Sequence, residues 1–178
     1  MTMNEKHTTI AEIYEQNVKD FIEPIDIKNS LVEKSDDVTQ IFFLLEKHDH
    51  LWVVDDKKTM QLCGVITESD TIQLFAPAYP TQAFDKPHIQ SFQFGLAAIG
   101  EEIMSKQPIT AALDEKISDV IMKMAQHRIK QIAVVDENTR LIGEIRVFRL
   151  IQEYLKRKPE ISTGEKTDIP EKTILDTL

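Results

Sequence analysis

The chain has 178 residues and a net charge of −9, from 30 acidic and 21 basic side chains. This negative charge argues against general binding to nucleic acids or anionic membranes, which are both polyanions. None of the five glycines forms a Gly-x-Gly-x-x-Gly or P-loop pattern, and the single cysteine excludes an intrachain disulfide. No apolar run approaches the ~18 residues of a membrane span, and residues 1–7 lack the apolar core of a signal peptide. We therefore expect a cytoplasmic protein.

The first predicted helix carries an apolar stripe at i, i+3, i+4 and i+7, formed by Val38, Ile41, Phe42 and Leu45. Ser35, three residues before the stripe, is the predicted N-cap because its hydroxyl can accept a free backbone N–H. A strand at 51–55, a polar turn at 56–59, a strand at 63–66 and a second helix follow.

The same order returns in the second half of the chain. Its first helix has an equivalent stripe, with Asp114 as the predicted N-cap; the stripe is Ile117, Val120, Ile121 and Met124. Strands at 132–136 and 142–145 enclose the turn at 137–140, and a final amphipathic helix follows. Each unit is predicted to be strand, helix, strand, strand, helix, so the fold class is α+β with a tandem repeat.

Five regions follow from this pattern. Residues 1–17 form an N-terminal extension, 18–75 the first repeat, 76–100 a linker, 101–158 the second repeat and 159–178 a tail. The linker contains prolines and aromatic residues, and we expect the aromatic residues to pack on the body of the protein. The tail is polar, and we expect it to be flexible.

Three short motifs occur in order, and the first two recur at matching spacing. They are Asp20-Phe21-Ile22 and Glu102-Ile103-Met104; the Val-Val-Asp strands at 51–55 and 132–136; and Gly-Val-Ile-Thr-Glu-Ser-Asp at 64–70. Over residues 18–158 they resemble the motifs of the CBS domain pair, also called a Bateman module. The resemblance implies two repeats around a pseudo-two-fold axis, with two clefts between them. Many relatives bind AMP, ATP or S-adenosylmethionine there, and modules commonly pair into disc-shaped dimers.

Thr67 and Asp70 match the family residues that bind ribose hydroxyls. An ionised carboxylate can accept two hydrogen bonds from a vicinal diol, and a threonine hydroxyl adds another polar contact. The same residues also make a good helix N-cap, and the two roles are compatible. Arg146 and Arg149 replace them in the second repeat, where they fill the cleft, bind an anion, pair with carboxylates of a dimer partner or are simply solvated.

Four further residues are candidate ligand contacts. The resemblance implies phosphate contacts just before the Val-Val-Asp strands, which suggests Lys130 and His50. Trp52 occupies a strand position bordering the cleft, where it stacks on adenine, fills the pocket or belongs to the core. Ser30 lies at the first strand, where relatives contact the base through the backbone.

Charge differs between the two repeats. Residues 18–75 carry a net charge of −6 (6 basic, 12 acidic), and residues 101–158 carry +2 (11 basic, 9 acidic). This asymmetry suits a cleft in which the first repeat supplies ribose acceptors and the second supplies phosphate donors.

Nothing in the sequence favours catalysis. There is no Gly-x-Ser-x-Gly or His-Glu-x-x-His motif. His48 and His50 are two residues apart, but no third histidine or cysteine is near in sequence, so we predict no metal site. The leading hypothesis is a regulatory module, not an enzyme. We expect it to need no cofactor, to bind AMP, ADP, ATP or S-adenosylmethionine, to form a homodimer and to control an unidentified protein. The alternative is a ligand-free dimerisation module whose cleft is filled.

Overall fold

The computed structural model describes residues 10–75 and 99–157, which fall into two similar halves. A 3₁₀ turn at Val18–Asp20 precedes the first half, which contains β1 (Leu31–Glu33), α1 (Val38–Leu45), β2 (His50–Val54), β3 (Leu62–Thr67) and α2 (Glu68–Phe75). The second half contains α3 (Gly100–Ile103), β4 (Ser105–Lys106), β5 (Thr110–Ala111), α4 (Ile117–His127), β6 (Gln131–Val135), β7 (Leu141–Arg146) and α5 (Val147–Arg157). The predicted α+β class and tandem repeat are confirmed. In these ranges no helix is long and apolar enough to cross a membrane.

Two sheets form the centre of the molecule. In the first, β1 pairs parallel to β2, which pairs antiparallel to β3, and β4 adds to the far edge of β3. The second repeats this arrangement with β5, β6 and β7. The register shifts between Val53 and Val54 in one sheet and between Val134 and Val135 in the other. The two repeats therefore share even their local irregularity.

The segment that leads into each repeat packs on the other repeat. Val18 and Phe21 are buried against the helix and strands of the second repeat, and Glu23 pairs with Glu144 of β7. Ile103 is buried in the core of the first repeat, and Ser105 pairs with Val65 of β3. The leading segments are thus exchanged, and each one completes the core and the sheet edge of its neighbour.

A third apolar cluster joins the two repeats. Its buried members are Leu31, Trp52, Val54, Ala133 and Leu141. The hairpin turns of the two repeats also pair: the backbone N–H of Leu141 donates to the carbonyl of Met60 at 2.8 Å, and that of Leu62 donates to Thr139 at 3.2 Å. The repeats therefore form one continuous body.

The predicted helix caps were wrong. Asp37, not Ser35, caps α1, because its carboxylate accepts the backbone N–H of Thr39 at 2.8 Å. Lys116, not Asp114, precedes α4 and makes no side-chain cap. A side-chain cap is not needed there, since the first N–H of the helix, on Ile117, donates to the carbonyl of Gln16 at 2.9 Å. The predictions for the aromatic linker and the tail fall outside the described residues.

Candidate functional site

Two clefts lie between the repeats. The first cleft has a volume of about 390 Å³ and lies beside the junction of β3 with α2. The first repeat contributes Trp52, Val65, Thr67, Ser69 and Asp70 to it, and the second contributes residues 105–109, His127, Ile129 and Gln131. Because both repeats form its walls, a molecule bound there would contact both.

Thr67 and Asp70 are held together at the start of α2. One oxygen of Asp70, Oδ2, accepts from the backbone N–H of Thr67 at 2.8 Å and from its hydroxyl at 2.7 Å. This is the backward half of a capping box, in which the third helical residue satisfies the N–H of the cap residue. The other oxygen, Oδ1, accepts from the Ser105 hydroxyl on β4 at 2.7 Å. Asp70 therefore fixes Thr67 and also links the two repeats.

This arrangement presents acceptors to the cleft. A carboxylate offers about four lone-pair sites, so Asp70 keeps acceptor capacity beyond these three bonds. The Thr67 hydroxyl donates its hydrogen bond to Asp70, which leaves the lone pairs of the hydroxyl oxygen as acceptors. Lys106, which carries a positive charge, and His127 line the same cavity. The first cleft can thus receive hydroxyl donors at one point and an anionic group at another.

The second cleft, of about 380 Å³, differs in chemistry. It is lined by Ser30, Lys47, His48, Asp49, His50, Lys130, Gln131, Glu144, Arg146, Val147 and Phe148. Arg146 occupies the position in β7 that Thr67 occupies in β3. Its guanidinium donates to both carboxylate oxygens of Glu23, at 3.0 and 3.1 Å. The hydrogen bond to Glu23 raises the pKa of Arg146. Arg149 forms a 3.7 Å ion pair with Glu153. Both arginines therefore pair with carboxylates of their own chain.

Glu144 is a buried carboxylate between the two clefts. Its Oε2 accepts from the indole N–H of Trp52 at 2.8 Å and lies 2.9 Å from Nε2 of His50. Burial by itself raises the pKa of Glu144, but hydrogen bonds from His50 and Trp52 outweigh this, so its pKa is lowered. The side chain consequently remains charged although it is only 6% exposed.

The six predicted ligand contacts fall into different clefts. Thr67, Asp70 and Trp52 line the first. Ser30, His50 and Lys130 line the second. The first cleft, which Thr67 and Asp70 line, does not contain Lys130, because Lys130 precedes β6 and lies on the side of Arg146.

Three residues near these clefts were missed from the sequence. Lys106 and Ser105 reach the first cleft through the exchanged strand β4, which pairs with the opposite repeat and so gives no local signal. Glu144 did have a signal: it is an acidic residue inside the apolar pattern Ile-Gly-Glu-Ile. A charge at a buried strand position requires partners, and both are here supplied by β2.

Comparison with known proteins agrees with this architecture. The CBS domain family matches residues 18–76 and 99–156. The chain belongs to the CBS domain family. No curated protein matches it significantly.

Several solved CBS domain structures have a similar fold. The CBS domain pair of protein MJ0100, in complex with 5′-methylthioadenosine and S-adenosyl-L-methionine, is 26% identical, with a TM-score of 0.55 over 77% of this chain and 98% of that one. CBSX2 in complex with AMP is 20% identical (TM-score 0.61; 81% and 99% covered). The CBS domain of the bacterial CNNM/CorC family Mg²⁺ transporter, in complex with ATP, is 15% identical (TM-score 0.61; 85% and 96% covered).

Proposed function

We propose that this CBS domain pair is a non-catalytic regulatory module that binds an adenosine-containing ligand in the first cleft. The observation that carries the proposal is the pair of oxygen acceptors, Thr67 and Asp70, held at an open cavity between the repeats. Its volume of about 390 Å³ lies within the range of about 300–1,000 Å³ typical of small-molecule sites.

The lining matches the parts of a nucleotide. Asp70 and Thr67 accept hydrogen bonds from a ribose diol. Lys106 supplies a positive charge for a phosphate or a carboxylate. The apolar side chains of Val65, Ile109 and Ile129 offer a surface for the base. Among AMP, ADP, ATP and S-adenosylmethionine, the ribose and the adenine are common to all, so this site favours the shared adenosine part.

Two observations favour a ligand-binding cleft over the alternative of a filled, ligand-free cleft. Trp52 is buried in the cluster between the repeats and its N–H is bonded to Glu144, so the indole forms a wall of the cavity and leaves the cavity open. The related MJ0100 CBS domain pair was solved with two adenosine compounds. The AMP complex of CBSX2 and the ATP complex of the transporter domain point to the same ligand class.

We also propose that the module forms a homodimer through its helices. Large apolar side chains are exposed on helices of both repeats, namely Phe43, Ile72, Phe75, Met122, Phe148, Ile151 and Leu155. Several exposed large apolar side chains on the helices favour an interface there, since large exposed apolar patches mark protein interaction sites. In this arrangement a ligand between the repeats alters the dimer or its contact with a regulated protein in the cytoplasm. Sedimentation at several protein concentrations measures the oligomeric state.

A thermal-shift titration with AMP, ADP, ATP and S-adenosylmethionine tests the ligand site. At a hundredfold excess over Kd, binding should stabilise the protein by about 2.7 kcal/mol. Asp70→Asn and Thr67→Val should each remove most of this shift. Glu68→Gln is the matched control, because it removes a carboxylate from the same helical turn but outside the cavity lining.

Two results would contradict the proposed ligand site. If none of the four compounds raises the melting temperature at millimolar concentration, or if Asp70→Asn shifts as the wild type does, the first cleft is not the site. The unliganded melting temperatures of the variants show whether the fold has been kept.

A further inference from the structure

Trp52 lies at the boundary between the two clefts. The residue is 2% exposed and lines the first cleft, while its indole N–H donates to Glu144, which lines the second. It is the only tryptophan of the chain. The ring of Trp52 therefore lines the first cleft, and its hydrogen bond connects it to a residue that lines the second.

Glu144 joins Trp52 to His50. The two partners are residues i and i+2 of β2, so their side chains lie on the same face of the strand. Both meet the same carboxylate oxygen, Oε2 of Glu144, and the imidazole stands edge-on to the indole with ring centres 5.1 Å apart. A change at His50 or at Trp52 therefore acts on the Glu144 oxygen that holds the other residue.

The sequences of the two repeats differ at this point in a complementary way. Trp52 faces Val65 across the first sheet, and Ala133 faces Glu144 at the same register in the second. The small side chain of Ala133 belongs to the same buried cluster as Trp52. Trp52 of the first repeat thus occupies space that the small Ala133 of the second repeat leaves. The indole N–H donates to the Glu144 carboxylate.

We propose that Glu144 is a positioning residue that holds Trp52 in the wall of the first cleft and links its placement to His50. Adenosine-ligand affinity then depends on two residues that do not touch the ligand. This second statement rests on the proposed function, whereas the link between His50 and Trp52 does not.

Because His50 and Trp52 share one carboxylate oxygen of Glu144, removal of the imidazole frees that oxygen to move relative to the indole. Removal of the carboxylate charge weakens the bond to the indole N–H itself, since hydrogen bonds to ionised groups are stronger than those between neutral groups. Arg146 lies 3.5 Å from the other oxygen of Glu144, but its guanidinium is bound to Glu23. The remaining charged or titratable groups around the second cleft are Lys47, His48, Asp49 and Lys130, and those around the first are Asp70, Lys106 and His127.

The emission of Trp52 reports on this link without any ligand. At constant neutral pH, His50→Leu and Glu144→Gln should each shift the emission maximum of Trp52 away from the wild-type position. His48→Gln and His127→Gln are matched controls, since each removes another imidazole from one of the two clefts, and both should keep the wild-type emission.

An emission maximum that stays at the wild-type position in His50→Leu or in Glu144→Gln overturns the proposal. In the ligand arm, Glu144→Gln should weaken AMP binding at neutral pH by about fivefold or more, the lower end of common coupling between sites. An unchanged Kd overturns the effect on affinity. If AMP binds to no variant, the proposed function fails, but the emission of the free protein still decides the role of Glu144.

Discussion

Replacing Gly143 by alanine should weaken the contact between the second repeat and the exchanged segment of the first. A Cβ atom at this position would lie 2.4 Å from Cγ1 of Ile22, 2.5 Å from its Cδ1 and 2.8 Å from the carbonyl oxygen of Glu23. Nonbonded carbon atoms are normally separated by about 3.5–4.0 Å. At least one of these groups must therefore move by about an ångström.

The movement is costly because it reaches the backbone. The Glu23 carbonyl accepts the N–H of Glu144 at 3.0 Å, and the Glu23 N–H donates to the Glu144 carbonyl at 2.8 Å. Overpacking of this kind typically costs about 1–3 kcal/mol. For a protein of this size that corresponds to a melting temperature lower by roughly 3–9 °C.

Differential scanning calorimetry of Gly143→Ala measures the effect, with Gly100→Ala as the matched control. At Gly100 the nearest atom to a new Cβ is the end of the Ile41 side chain, at 3.0 Å, which can move aside. Hydrogen exchange should also become faster at the amides of Glu23 and Glu144. The reasoning is refuted if Gly143→Ala melts within about 1 °C of the wild type, since that is less than half a kcal/mol at this size.

Three further predictions follow from the contacts described above. Glu144 has a pKa lowered by folding, so the stability that its charge contributes is present above the ordinary glutamate pKa of about 4.3 and is lost as the pH falls through the folded value. Urea unfolding from neutral pH down to about pH 3 should show the wild type losing its advantage over Glu144→Gln in that acidic range, and a constant difference would contradict this. Asp37→Ala should lower the melting temperature because α1 loses its cap, whereas Ser35→Ala should leave it unchanged; equal effects would argue against the observed cap. Burial raises the pKa of the Cys63 thiol, with Asp55 contributing, so Cys63 should react with a disulfide reagent more slowly than free cysteine at neutral pH, and at the ordinary rate in urea.

The sequence was sufficient for the elements that depend on local patterns. The apolar stripes of α1 and α4 and the two Val-Val-Asp strands lie close to their predicted bounds, because each helix buries one face and the strands are buried along almost their whole length. The paired placement of Thr67 and Asp70 also follows from their spacing, since three residues at a helix start bring a side chain back to the cap N–H.

Contacts between distant residues could not be predicted in this way. The exchanged segments are fixed by pairs such as Asn17 with Lys116 and Glu23 with Glu144, which are short and far apart in sequence. Lys106 reaches the first cleft through this exchange, because it lies on β4, whereas Lys130 lies beside the second cleft. The N-cap error at Asp114 has the same origin, as the partner of Ile117 is Gln16.

The exchanged leading segments also constrain how the protein can respond to a ligand. Hinge opening would require Val18 and Phe21 to leave the core of the second repeat and Ile103 to leave that of the first. Small sliding movements of packed elements, known as shear, avoid that exposure. A signal from the first cleft should therefore travel as a slight rotation of one sheet past the other, with both cores kept closed. Distances measured between spectroscopic labels on α1 and α4 should accordingly change little on binding.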